Sequence, residues 1–176
     1  MFIRPLNKSI SKTLAKAKLL TGLACVVLPQ SALALSCLPP DIRLNFLVAE
    51  DSPHNHFVVE GRFTISDPDD ANGSTREKFS SENTRLEGTM VGRALGSKGR
   101  TVPFHHPVIF EVDCFGPYCG RVISDTNMIA FVRQDEDQYV VTSGPCLDMV
   151  TYEPSELDRD RVQQCIDGGE CLPDLG

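Results

Sequence analysis

Beyond residue 35 this 176-residue chain has no apolar stretch near the roughly twenty residues that a membrane-spanning helix needs. It has no Gly-x-Ser-x-Gly elbow, no phosphate-binding Gly-rich loop and no His-Glu-x-x-His pair, so the common hydrolase, nucleotide and zinc-protease signatures are missing. No internal repeat is visible. Basic residues are also scarce past residue 34. Of the 17 Lys and Arg, five (Arg4, Lys8, Lys12, Lys16 and Lys18) fall in the first eighteen residues, which hold no acid. The remaining 12 face 24 Asp and Glu, a net charge near −12. Phosphate backbones and anionic membrane surfaces repel such a surface, so nucleic acid is not an expected partner. Acidity of this kind serves solubility.

What the chain does have begins with its first 34 residues. The basic stretch precedes an apolar run, Leu19 to Leu28. Pro29 and Gln30 follow, and then Ala32-Leu33-Ala34. Basic, apolar, then small-x-small is the plan of a cleavable secretory signal, and the run is half the length of a membrane span. Cleavage after Ala34 makes Leu35 the first mature residue. Ala34-Leu35-Ser36 also satisfies the small-x-small rule and would put Cys37 first. Ala34-Leu35-Ser36-Cys37 matches poorly to the site of bacterial lipid attachment, which prefers Leu where Ala34 stands. The expectation is a periplasmic or secreted protein: residues 1–34 as signal, and 35–176 as a single domain long enough to bury a real core.

Seven cysteines are present, and Cys25 leaves with the signal. The six that remain, Cys37, Cys114, Cys119, Cys146, Cys165 and Cys171, argue for a closed disulfide framework in an exported chain. Six cysteines permit fifteen pairings. Proximity favours Cys114 with Cys119 and Cys165 with Cys171, which leaves Cys37 to join Cys146 across the chain. If all six pair, no thiol remains for catalysis, and no other catalytic set or cofactor motif stands out.

Local patterns order the rest. Asp41 suits the start of a helix over 41–51, with Ile42, Phe46 and Ala49 on one face, ended by Ser52-Pro53. Strict alternation of Phe57, Val59, Gly61, Phe63 and Ile65 predicts a strand over 56–66. Residues 67–83, rich in Asp, Asn, Gly and Ser, read as a mobile polar loop. Its acids do not form a calcium loop, since Ala71 and Asn72 occupy ligand and glycine positions when the count starts at Asp67. Further strands are expected over 84–95 and 101–114, with a turn at 96–99. Asn127–Arg133 and Gln138–Thr142 form a hairpin around Asp135-Glu136-Asp137. Ser155-Glu156-Leu157-Asp158 resembles a capping box opening a helix over 155–166, with Leu157, Val162, Cys165 and Ile166 as its apolar stripe and Gly168-Gly169 after it. Five strands with a helix near each end suggest a mostly β, α+β fold built on a five-stranded antiparallel barrel, since a sandwich usually needs about seven strands.

Leu35-Ser36-Cys37-Leu38-Pro39-Pro40, the helix after it, Val58-Val59-Glu60-Gly61-Arg62, Met128-Ile129-Ala130-Phe131-Val132 and Ser143-Gly144-Pro145-Cys146 carry a resemblance. Their order and cysteine placement resemble the netrin-like module, the OB-type barrel shared with the tissue inhibitors of metalloproteinases. Cys114-Phe115-Gly116-Pro117-Tyr118-Cys119-Gly120 also looks like uncharacterised exported proteins of alphaproteobacteria. The resemblance implies a disulfide-stapled OB-like barrel. It also raises metalloprotease inhibition, in which the amine and carbonyl of a leading Cys in Cys-x-Cys grip the protease zinc. Here the triplet is Leu35-Ser36-Cys37, so the leading Cys is missing.

His54-x-His56 is the one pattern that suggests a metal. On a strand the two imidazoles share a face, and one of His105 and His106, which point opposite ways, could join them; His105 is the assigned third ligand. The alternative is solvated histidines at strand ends. The reading that these observations favour is a non-catalytic exported binding domain that needs no cofactor, with another protein or an envelope component as partner and contacts beside the first three strands. Protease inhibition and metal binding by His54 and His56 are the alternatives.

Overall fold

The computed structural model describes residues 37, 40–66, 77–79 and 82–174. The expected signal segment, both cleavage sites and the acidic stretch 67–76 lie outside the described residues. The described residues all fall in the unit Leu35–Gly176. In chain order they form α1 (Ile42–Glu50), β1 (Asn55–Ile65), β2 (Glu77–Phe79), β3 (Thr84–Leu95), a 3-10 turn (Ser97–Gly99) and β4 (Thr101–Val112). Then follow β5 (Cys114–Phe115), β6 (Tyr118–Cys119), β7 (Arg121–Ile123), β8 (Asn127–Asp135), β9 (Gln138–Ser143), β10 (Val150–Tyr152) and α2 (Glu156–Ile166).

Five long strands close a barrel in the order β1-β3-β4-β9-β8, with β8 returning to β1. Four seams are antiparallel, and the fifth, β4 with β9, is parallel. The expected antiparallel barrel needs that one correction, and parity supplies the reason. Strand directions cannot alternate all the way round a closed ring of five. The odd seam falls between β4 and β9, which a crossover connects rather than a hairpin.

β1 makes closure possible. Its first residues pair with β8 and its last with β3, and Val59 to Arg62 pair with both. At that crossing Gly61 faces Gly92. A Cβ on Gly92 would collide with the Glu60 carbonyl and the Gly61 Cα. The two bare backbones let the strands approach where β1 bends between its partners.

β8 explains where the helices go. Met128 to Val132 are buried on both faces. Met128, Ala130 and Val132 enter the barrel core with Val59, Phe63, Met90 and Phe110. Ile129 and Phe131 point outward into a second core with Ile42, Ala49, Val58, Met149 and Val162. An unbroken apolar run is what a strand covered on both faces requires. Both helices supply the outer cover. Asp41 caps α1 by accepting from the Arg43 N–H at 2.8 Å, and Ser155 and Asp158 complete the capping box of α2. Glu60 of β1 accepts from Arg159 of α2 at 2.7 Å and from Arg93 of β3 at 3.0 Å, tying helix to barrel. Leu157 does not join the stripe of α2. It is exposed, because Val162 and Cys165 are the residues that face the sheet.

All three disulfides join the expected partners: Cys37 with Cys146, Cys114 with Cys119, and Cys165 with Cys171. Cys114 and Cys119 are cross-strand partners of the β5–β6 hairpin, turned at Gly116-Pro117. One expectation fails in the 67–83 segment. Glu77–Phe79 is a strand paired with β7, so the stretch is not loop throughout. Three residues are too few to show a period, and β7 and β10 escape notice in the sequence for the same reason. Among the described residues no helix is long and apolar enough to cross a membrane.

Candidate functional site

The histidines are the first residues to place. His54 precedes β1, and its Nδ1 lies 3.2 Å from Asp135 Oδ1. That is an ion-pair distance, yet this oxygen is buried without a hydrogen bond of proper geometry. The contact is therefore not a hydrogen bond, and Asp135 is held by Arg133 instead, whose Nε donates to Oδ2 at 2.8 Å. That bond keeps the Asp135 carboxyl below its usual range. His56 is half-buried, its Nδ1 is 3.1 Å from the His54 carbonyl, and burial pushes its imidazole below the usual value.

His105 is not with them. It pairs with Val91, which pairs with Arg62 of β1, six residues along from His56. Six residues of strand span roughly 20 Å, so the three imidazoles cannot share one ion. Among the described residues no group of three or more His, Cys, Asp or Glu side chains is placed to hold a metal. The expected His54, His56 and His105 site is corrected on that register. His106 points away from His105, into an aromatic cluster.

That cluster lines a hollow of about 450 Å³ at one end of the barrel, walled by β1, β3, β4 and β9. Phe57, Phe104, His106 and Tyr139 form its inner wall. Ring centroids are 5.3 Å apart for Phe104 and Tyr139, 4.7 Å for His106 and Tyr139, and 6.1 Å for Phe57 and Tyr139. The Phe–Tyr pairs meet edge to face, the arrangement that ring quadrupoles favour. Ala94, Leu95, Val102 and Pro103 continue the apolar lining, and Arg100 stands at the rim.

The chain leaves this end open for a reason visible in β4. Pro103 and Pro107 have no N–H to donate to a ladder. β3 pairs through both positions, so the missing donors belong to the other edge of β4. β9 joins that edge only from Ile109 onward. The first half of β4 therefore has one strand neighbour, and Val102, 65 % exposed, faces water beside the hollow. That β4 is a strand was legible in the sequence. The significance of its prolines was not, because the sequence does not say which edge needs a partner.

A second hollow, about 550 Å³, lies where α1, the Cys37–Cys146 disulfide, Arg121 and Tyr152 meet. It is more polar, but its groups are already engaged. Asp41 is bound by Arg43, Asp158 by Ser155, and the Tyr152 hydroxyl donates to the Arg121 carbonyl at 3.1 Å and accepts from Ile123 N–H. The Arg121 guanidinium carbon lies 5.9 Å from the centroid of the Tyr152 ring. Asp148 is the exception. Its Oδ1 is sealed from solvent with no hydrogen-bond partner. Burial pushes its carboxyl up to about 7, against the pull of Ser143 and Arg121. The Ser143 hydroxyl gives it little, since its single proton is donated to the Arg121 carbonyl at 2.8 Å. Asp148 is a buried acid and not a solvated ligand-binding carboxylate.

Of the two hollows, the aromatic one has the character of a ligand site: concave, apolar, within the usual size range, and with one cation at its edge. The six disulfide-bonded cysteines supply no nucleophile to either hollow. No protein family, curated protein or solved structure matches this chain.

Proposed function

We propose that this chain is an exported, non-catalytic binding domain whose ligand enters the open barrel end between β1, β3, β4 and β9. One observation carries the reading: the hollow of about 450 Å³ lined by Phe57, Phe104, His106 and Tyr139. Aromatic edges left accessible at a barrel mouth keep apolar surface in water, a cost that a ligand removes. Export is supported by the signal-like first 34 residues and by three disulfides, which persist in oxidising compartments. The partner is a small molecule, or a group of a larger envelope component, that fits the hollow.

The test is an amide-resolved NMR titration of the exported protein with a library of small apolar compounds. Shifts concentrated at Phe57, Ala94, Phe104 and Tyr139 support the reading. Shifts confined to the second hollow, or none at all, overturn it. N-terminal sequencing of the same material tests export, with Leu35 expected first.

One observation favours a second reading, inhibition of the netrin-like type. The bond between Cys37 and Cys146 anchors the start of the domain beside the polar hollow. A chain beginning at Cys37 would hold its amine rigidly there. A first residue of Leu35 removes that amine and the reading with it.

A further inference from the structure

We infer that the aromatic hollow takes a small apolar molecule ending in a carboxylate, with the Arg100 guanidinium as its counter-ion. This rests on the reading that the hollow is the binding site, and it adds the chemical class of the ligand.

Arg100 is the one side chain lining the hollow that is charged at every accessible pH. Its position is fixed by the turn before β4. Gly96 N–H donates to the Arg100 carbonyl at 2.7 Å, and Arg100 N–H to the Ser97 carbonyl at 3.3 Å. The guanidinium closes back on the same turn, Nε to the Ser97 carbonyl at 3.2 Å and Nη2 to Ser97 Oγ at 3.0 Å. Those two bonds orient the fork and leave three of its five N–H groups uncommitted.

Among the described residues no carboxylate pairs with Arg100. Arg43, Arg93, Arg133 and Arg159 each have a carboxylate oxygen within 3.0 Å. Arg62 and Arg161 also have no acid partner among the described residues, and of the three Arg100 is the one that lines the apolar hollow. A planar guanidinium matches a carboxylate bidentately. Apolar walls on one side raise the strength of such a pair over its value in open water. The rest of the lining, Phe57, Leu95, Val102, Phe104 and Tyr139, suits an aliphatic or aromatic body. An amine meets like charge at Arg100, and a neutral apolar molecule leaves it unpaired. The protein's negative field slows entry of an anion but does not reach into the local pair at physiological salt.

The test uses three probes of one shape, octanoate, octanol and octylammonium, titrated into the disulfide-intact exported protein by calorimetry at physiological ionic strength, where the net negative charge is screened. Octanoate is expected to bind at least tenfold tighter than octanol, and octylammonium weaker than both. Arg100→Gln is expected to bring octanoate to the octanol level, while Arg100→Lys keeps part of the difference. Equal affinity for octanoate and octanol, or no effect of Arg100→Gln, overturns the carboxylate while leaving the barrel mouth as the site. Binding of none of the three overturns both.

Discussion

Asp41 and Asp174 are joined across 133 residues: the Asp174 backbone N–H donates to Asp41 Oδ2 at 2.9 Å. The same carboxylate caps α1 through Oδ1 and grips the Arg43 guanidinium at 2.7 Å. One side chain thus starts the first helix and holds down the chain that follows the last one.

Asp41→Ala removes the cap, strands Arg43 and frees the C-terminal tail. Loss of a cap alone costs about 1 kcal/mol, and the other lost bonds add to it. Urea unfolding should show a fall of roughly 2 kcal/mol, and limited proteolysis should cut first near residue 174. The Arg43 hydrogen bond holds the Asp41 carboxyl far below its usual range. Its stabilisation is therefore present above about pH 4, the ordinary carboxylate value, and fades as pH falls below it. In Asp41→Asn that part of the acid dependence should vanish.

Asp148 predicts the opposite trend. Its carboxyl titrates near 7 when folded, against 3.8 in the unfolded chain. The folded state keeps a proton that the unfolded chain releases, so this group's contribution falls as pH rises from about 4 to about 7 and is flat beyond. The full effect is on the order of 4 kcal/mol. Asp148→Asn keeps the shape and removes the charge. Melting temperatures at pH 5 and pH 8 should differ less in the variant than in the parent. An equal difference in both sinks the assignment.

Cys37 and Cys146 close a loop of 109 residues. In the chain-entropy model such a closure contributes about 4–5 kcal/mol. The double variant Cys37→Ala, Cys146→Ala should lose most of that in denaturant midpoint, whereas Cys165→Ala with Cys171→Ala, closing six residues, should lose less.

Gly92→Ala tests the crossing of β1. The added methyl meets the Glu60 carbonyl and the Gly61 Cα, both backbone and unable to yield. Overpacking costs about 1–3 kcal/mol, and this site belongs at or above the upper end. Val91→Ala, next door but 53 % exposed, should change stability by less than about 0.5 kcal/mol. Similar losses in the two variants would show that the crossing is not tight.

Much of the fold could be read locally. The alternation of Phe57 to Ile65 marked β1, Ser155 and Asp158 marked the start of α2, and the even cysteine count marked three bridges. Met128 to Val132 was legible as a strand, but its cover on both faces emerged only with the helices packed outside it. The site was not legible in the same way. Phe57, Ala94, Arg100, Phe104 and Tyr139 come from four strands and a turn, and no spacing connects them. The histidines drew attention because ligand types are recognisable one by one, whereas an apolar hollow is made of residues that look like core.

By itself the sequence determined the identity and limits of the main elements, the pairing partners within reach of one another, and the acidity of the surface. These depend on near neighbours: period, caps, turns and short loops. Only the tertiary structure decided the parallel seam of β4 with β9, the separation of His105 from His54 and His56, the proton affinity of Asp148, and the open edge beside Pro103 and Pro107. Each depends on closing the barrel. Closure sets which residues lie roughly 20 Å apart, which carboxyl loses its water, and which strand edge is left without a neighbour.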